Sequence, residues 1–135
     1  MFMKKIYYIL KSWSPSIMYM AFIYYLSSLS KPLESLFSDQ IIFYFNLHDI
    51  TYHIIEYMVL SFLLYIALKK SSKNPSTFAI LITLIYAITD EIHQYFVLGR
   101  VSSVFDVAFD SFGAIAMQSI VNIYNYVKNN KDKQL

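Results

Sequence analysis

The side chains best suited to chemistry lie in one short segment, residues 90–94, whose sequence is DEIHQ. Two carboxylates, an imidazole and an amide are thus embedded in a stretch that otherwise has the composition of a membrane-spanning helix. Ionisable groups in hydrocarbon are costly, so within a membrane they usually line a functional interior. Arg100, the only arginine of the chain, follows closely, and a guanidinium binds phosphate or carboxylate through two hydrogen bonds at once.

Two further sets of polar residues repeat at the spacing of a helical face. One set is Asp49, His53 and Glu56, and the other is Asp106, Asp110 and Gly113. Residues at i, i+4 and i+7 lie on one side of an α-helix, and Asp90 and Gln94 share a side in the same way. If these sides point at one another, they form a polar pocket that opens toward one surface of the membrane. Gly113 would permit a neighbouring helix to approach closely.

If the protein is an enzyme, these residue types predict acid–base chemistry on a charged substrate. We interpret His53 as a general acid or base, Glu56 as the carboxylate that orients it and Glu91 as a second acid. The residues assigned to chemistry are His53, Glu56, Glu91, Gln94, Arg100 and Asp106, and those assigned to substrate binding are Arg100, Asp90, Asp110, His93 and Asp49.

A divalent cation is a further candidate ligand of the same side chains. Oxygen-rich ligation suits Mg²⁺, Mn²⁺ or Ca²⁺ rather than a thiolate-seeking metal. The residues that would hold it are His53, Glu56, Glu91, Asp106 or Asp110. No compact metal-binding motif accompanies them, so the sequence assigns no metal.

Several of these residues also have purely structural interpretations. Ser103 and Asp106 resemble a helix capping box in which aspartate replaces the usual Glu or Gln. Arg100 is placed to anchor the chain at the membrane interface, and His93 to lie at that interface. For the cluster as a whole, the alternative to a functional site is a polar network that only holds helices together.

The chain that positions these groups is apolar, with 57% hydrophobic and 15% charged residues, no cysteine and a mean hydropathy of +0.44. Lack of cysteine excludes disulfides and thiolate metal sites. Four apolar stretches approach the ~17–25 residues that cross a bilayer core. They are residues 13–29, 50–68, 77–98 and 104–127. We therefore predict an all-α integral membrane protein, one domain over 1–135, built as a bundle of four transmembrane helices.

The distribution of lysines predicts the orientation of this bundle. Nine of the eleven basic residues lie near the N-terminus, between the second and third spans, or in the tail at 128–135. The positive-inside rule then places both termini in the cytoplasm and the polar cluster on the extracytoplasmic side. The outer loop at 30–49 contains an apolar run, 41–45, which is too short to span and predicts an interfacial or re-entrant segment. Because the basic residues are spread over three segments, nothing indicates nucleic-acid binding.

Taken in order, the motifs resemble those of the VanZ-like family of small membrane proteins. They are SLSKP at 28–32, D-x-x-x-H-x-x-E-Y at 49–57, DEIHQYFVLGR at 90–100 and D-x-x-x-D-x-x-G at 106–113. The chain departs from the family pattern at Ile50, Leu98 and Asp110, where the family usually has lysine, proline and asparagine. The resemblance implies a bacterial protein whose best-known relative lowers susceptibility to the glycopeptide teicoplanin, and it implies no particular reaction.

Three functions are consistent with these observations. The leading one is action at the outer leaflet of the bacterial cytoplasmic membrane on an envelope component, a lipid-linked or phosphate-bearing headgroup. The second is a non-catalytic factor that binds an envelope lipid or glycopeptide. The third is a proton- or cation-coupled transporter, which would need polar groups across the inner leaflet too, where the chain offers few. The lipid bilayer is a partner in all three, and the sequence leaves the oligomeric state open.

Overall fold

In a computed structural model, residues 2–29, 39–100 and 102–134 are described, together with the side chains of residues 7, 9–29, 50–100 and 102–134. This part of the chain forms four α-helices. They are α1 (Phe2–Ser27), α2 (Asp39–Leu68), α3 (Pro75–Tyr95) and α4 (Val104–Asp132). The expected all-helical class with four helices is therefore confirmed.

Local sequence explains where the helices begin. Pro75 opens α3 at a first-turn position, where its missing N–H would have no partner in any case. Ser103 is the N-cap of α4, and its hydroxyl accepts the Phe105 N–H at 3.1 Å. Pro15, inside α1, cannot donate to the carbonyl of Lys11, and the Ser14 hydroxyl donates to that carbonyl at 3.1 Å instead.

α1, α2 and α4 are longer than the apolar stretches that predicted them, whereas α3 ends at Tyr95 rather than at the predicted Leu98, because the chain turns there toward Gly99. α2 begins at Asp39, so the second half of the expected outer loop, including the run 41–45, is helical. No glycine or proline interrupts residues 39–49, and a helix satisfies the backbone polar groups of an apolar segment without outside partners. α4 runs to Asp132 and takes in most of the basic tail. Residues 30–38 of the expected loop lie outside the described part of the chain.

The helices pack around α2. It makes its most extensive contact with α4, while α3 packs on both and α1 packs mainly on α2. The buried core includes Ile23, Tyr57, Leu60, Leu64 and Ala87. A Cβ atom on Gly113 of α4 would collide with the backbone carbonyl of Ile54 on α2, so the expected close approach at this glycine is confirmed.

The outer surface of the described helices is apolar, as expected of a protein solvated by lipid. Side chains such as Phe62, Ile85 and Ile123 are exposed. Within the described residues, three helical segments are long and apolar enough to cross a membrane. They are Ile50–Leu68, Pro75–Tyr95 and Val104–Asp132. A fourth span by α1 and the placement of the termini stay predictions.

Candidate functional site

A cavity of about 250 Å³ lies between α1, α2 and α3. Its lining residues are Ile23, Leu26, Ser27, Tyr52, His53, Glu56, Asp90, Gln94 and Arg100. These belong to the end of α1, the first half of the apolar part of α2, the end of α3 and the connection that follows α3. The lysine-rich segments are at the opposite ends of the helices, so the cavity and most of the positive charge lie at opposite ends of the bundle.

His53 is held by Asp110 across the contact between α2 and α4. The Nδ1 atom of the imidazole lies 2.9 Å from Asp110 Oδ1, and the aspartate side chain is almost fully buried, at 1% exposure. The crossing of Ile54 and Gly113 lies next to this pair and permits the short distance. Because Nδ1 is engaged, Nε2 is the ring nitrogen that remains for a ligand in the cavity.

Asp90 is the centre of a hydrogen-bond network that joins three helices. Its Oδ1 atom accepts from the Ser27 hydroxyl of α1 at 2.5 Å, and its Oδ2 accepts from Gln94 Nε2 at 2.8 Å. The Tyr57 hydroxyl of α2 lies 3.4 Å from Oδ2. Both carboxylate oxygens therefore have protein partners, and Asp90 fastens the helices around the cavity.

Arg100 binds the exposed carbonyls at the end of α1. Its Nε donates to the Leu29 carbonyl at 3.1 Å, and its Nη2 donates to the Leu26 carbonyl at 2.7 Å. A cation at this position also interacts favourably with the negative end of the helix dipole. Gly99 makes the turn possible because its φ of 79° lies in the left-handed region, which other residues rarely adopt.

Glu56 is the cavity carboxylate that the protein leaves most available. It is half-buried beside His53, Asp90 and Arg100, close enough to interact electrostatically with each of them. Among the described residues it accepts no hydrogen bond and forms no ion pair. The predicted role of Glu56 in orienting His53 belongs instead, by geometry, to Asp110.

Glu91 of α3 and Asp106 of α4 interact electrostatically with the His53–Asp110 pair from outside the cavity. Glu91 is buried, and its Oε2 accepts the backbone N–H of Ser103 at 2.8 Å, while its Oε1 has no hydrogen-bond partner among the described residues. Asp106 lies in the first turn of α4. Neither lines the cavity described above. Glu91 thus anchors the connection between α3 and α4, which also carries Arg100.

His93, another predicted site residue, does not line the cavity. The His93 ring stacks on Tyr24 with centroids 4.2 Å apart, and its Nε2 shares a hydrogen bond of 2.9 Å with the Ser28 hydroxyl. His93 therefore joins α3 to α1. The backbone of Asp49 belongs to α2, but its side chain falls outside the described part of the structure.

The contribution of α1 was not anticipated from the sequence. Ser27, Leu26 and Ile23 form a wall that was expected to come from α4. The sequence feature that points to this helix is the SLSKP motif, which begins directly after it. Among the described residues, no group of three or more His, Cys, Asp or Glu side chains is arranged to hold a metal ion.

The chain matches the model of a known protein family. The family model described as VanZ/LLP1 matches residues 2–125, which is most of the chain. No curated protein and no solved structure matches the chain.

Proposed function

The chain belongs to the VanZ/LLP1 family, and on that premise we propose that it acts on the phosphate-bearing headgroup of an envelope lipid in the bacterial cytoplasmic membrane. In this proposal the headgroup enters the cavity between α1, α2 and α3 from the extracytoplasmic side. Arg100 holds its phosphate, and His53 transfers a proton to or from it.

The observation that carries this proposal is the His53–Asp110 pair beside the cavity. A buried carboxylate that accepts from Nδ1 selects the imidazole tautomer whose Nε2 can take up a proton, and it stabilises the imidazolium that results. Arg100 lines the same cavity and supplies the positive charge that a phosphate requires. A base and an anion-binding group thus face one small volume.

The size of the cavity favours a headgroup over a larger ligand. Its volume of about 250 Å³ is below the roughly 300–1,000 Å³ of sites for drug-sized molecules. A glycopeptide antibiotic is far larger than such a site. Any effect on teicoplanin would then be indirect, through a changed lipid at the membrane surface.

The proposed orientation rests on charge. With α1 as a fourth span, the lysine-rich N-terminus, the connection at 69–73 and the C-terminal end of α4 lie on one side, which the positive-inside rule makes cytoplasmic. The cavity is at the other end. On the cytoplasmic side of it, Gln118 donates hydrogen bonds to Ser61 in the α2–α4 contact.

A pair of matched substitutions tests the proposal. Wild type, Asp110→Asn and the control Asp132→Asn, which changes an exposed carboxylate at the end of α4, are expressed at equal membrane levels in a teicoplanin-sensitive Gram-positive host. We expect wild type and Asp132→Asn to alter the headgroup composition in lipid extracts by mass spectrometry, and Asp110→Asn to lose most of that change. Teicoplanin susceptibility is measured in parallel. An unchanged lipid profile with wild type, or full activity of Asp110→Asn, would overturn the proposal.

A further inference from the structure

Glu56 and Arg100 carry opposite charges into one cavity without pairing. Both line its wall, and each is close enough to affect the other electrostatically. Among the described residues, neither forms an ion pair with the other or with any other side chain. An unpaired charge in a low-dielectric interior is expensive, so each of these groups is suited to a ligand charge of the opposite sign.

The free hydrogen-bonding capacity of the two residues defines that ligand further. A guanidinium has five N–H donors, and Arg100 uses one at Nε and one at Nη2 for the carbonyls of α1. Three donors remain for an anion. No described residue donates a hydrogen bond to Glu56, whereas both oxygens of Asp90 already accept from protein donors. The carboxylate for a ligand cation is therefore Glu56.

We propose that the cavity binds a zwitterionic phosphate ester, with its phosphate on Arg100 and its ammonium group on Glu56. This inference rests on the proposed function, because it names the substrate class of the same site. Tyr52, at the wall of the cavity, adds an aromatic ring of the kind that attracts an ammonium group.

Simpler ligands match the site less well. A plain phosphate anion would pair with Arg100 but be repelled by the carboxylate of Glu56. A lone cation would pair with Glu56 but be repelled by the guanidinium. A zwitterion satisfies both groups and brings no net charge into the membrane.

The same chemistry occurs in a membrane lipid headgroup and in a free soluble ester, and the experiment separates these sources. For the soluble arm, the full-length protein in phosphatidylglycerol nanodiscs is titrated with glycerophosphoethanolamine and with glycerophosphoglycerol, which lacks the ammonium group. For the lipid arm, nanodiscs of mixed phosphatidylethanolamine and phosphatidylglycerol are used, and the lipids that remain with the protein are identified by native mass spectrometry.

We expect glycerophosphoethanolamine, or the ethanolamine lipid, to bind with roughly tenfold or more higher affinity. This ratio corresponds to the free energy of one charge-assisted hydrogen bond. Preference in the soluble arm identifies the headgroup itself as sufficient, and preference in the lipid arm alone shows that the acyl chains are required. Absence of preference in both arms would overturn the proposal. Both arms use the wild-type protein, so this result does not depend on whether a variant folds.

Glu56→Gln is the decisive variant, since it keeps the shape of the side chain and removes its charge. We expect it to bind both ligands with similar affinity, whereas Asp132→Asn retains the preference of wild type. Retained preference in folded Glu56→Gln would also overturn the proposal. An unchanged lipid profile with wild type, or full activity of Asp110→Asn, would remove the proposed chemistry but leave this binding preference intact, so the two proposals fail separately.

Discussion

His53 on α2 and Asp110 on α4 form a hydrogen bond of 2.9 Å between Nδ1 and Oδ1, beside the close approach of the two helices at Gly113. The pair connects the cavity with the contact between α2 and α4. Asp110 is buried in that contact, whereas His53 lines the cavity. The VanZ-like pattern usually has asparagine at the position of Asp110, so a full negative charge behind the histidine is a feature of this chain.

Asp110→Asn should separate the chemical role of the pair from its structural role. The amide oxygen can still accept the His53 N–H, so the fold should survive, with a loss of about 1 kcal/mol in the free energy of unfolding from the weaker hydrogen bond. Thermal unfolding in detergent measures this effect. Unfolded Asp110→Asn protein would show that the charge is required for the fold itself.

Gly113→Ala should destabilise the contact between α2 and α4. Its Cβ would collide with the Ile54 carbonyl, which belongs to the backbone and moves only if the helices separate. Overpacking of this kind costs about 1–3 kcal/mol. Ser119→Ala, an exposed position on the same helix, is the matched control. Equal stability of the two variants would contradict the close packing described here.

Ser61 and Gln118 should be energetically coupled. Gln118 Nε2 donates to the Ser61 carbonyl at 2.9 Å and to its hydroxyl at 2.8 Å. Side-chain hydrogen bonds between membrane helices average about 0.6 kcal/mol and reach about 1.7 kcal/mol. A double-mutant cycle with Ser61→Ala and Gln118→Ala should give a coupling free energy in this range. Additive effects of the two substitutions would show that the contact contributes nothing.

Glu91→Gln should preserve more activity than Asp110→Asn. Glutamine keeps an oxygen that can accept the Ser103 N–H, and the residue does not line the cavity. Glu91→Leu removes that acceptor and should destabilise the connection that carries Arg100. Headgroup changes and unfolding are measured for both variants. Complete loss of activity in a stable Glu91→Gln protein would instead support the acid role predicted from the sequence.

Lysine at position 100 should not replace the function of the arginine. An ammonium group retains the charge but lacks the planar fork that binds the Leu26 and Leu29 carbonyls while keeping donors for a ligand. We expect weaker binding of glycerophosphoethanolamine by roughly tenfold, together with a lower unfolding temperature. The measurement is titration of the variant beside wild type. Wild-type affinity in Arg100→Lys would show that charge alone is sufficient.

The helices and the polar residues on them could be predicted from local sequence. Apolar length predicted three segments that the structure shows to be long and apolar enough to span, and the spacing of Asp90 and Gln94 predicted that they share a face, which their 2.8 Å hydrogen bond confirms. The glycine at 113 likewise predicted a close helix approach. These features depend on residues a few positions apart, and helix geometry alone relates them.

The composition and order of motifs, by themselves, determined that this is an all-helical chain of the VanZ/LLP1 family with apolar helices that suit a membrane. Only the tertiary structure decided which polar faces meet. It paired His53 with Asp110 rather than Glu56, placed α1 in the cavity wall and directed Arg100 onto the carbonyls of Leu26 and Leu29. Helical periodicity gives the direction of a side chain around its own axis, whereas the partner it meets depends on how separate helices pack.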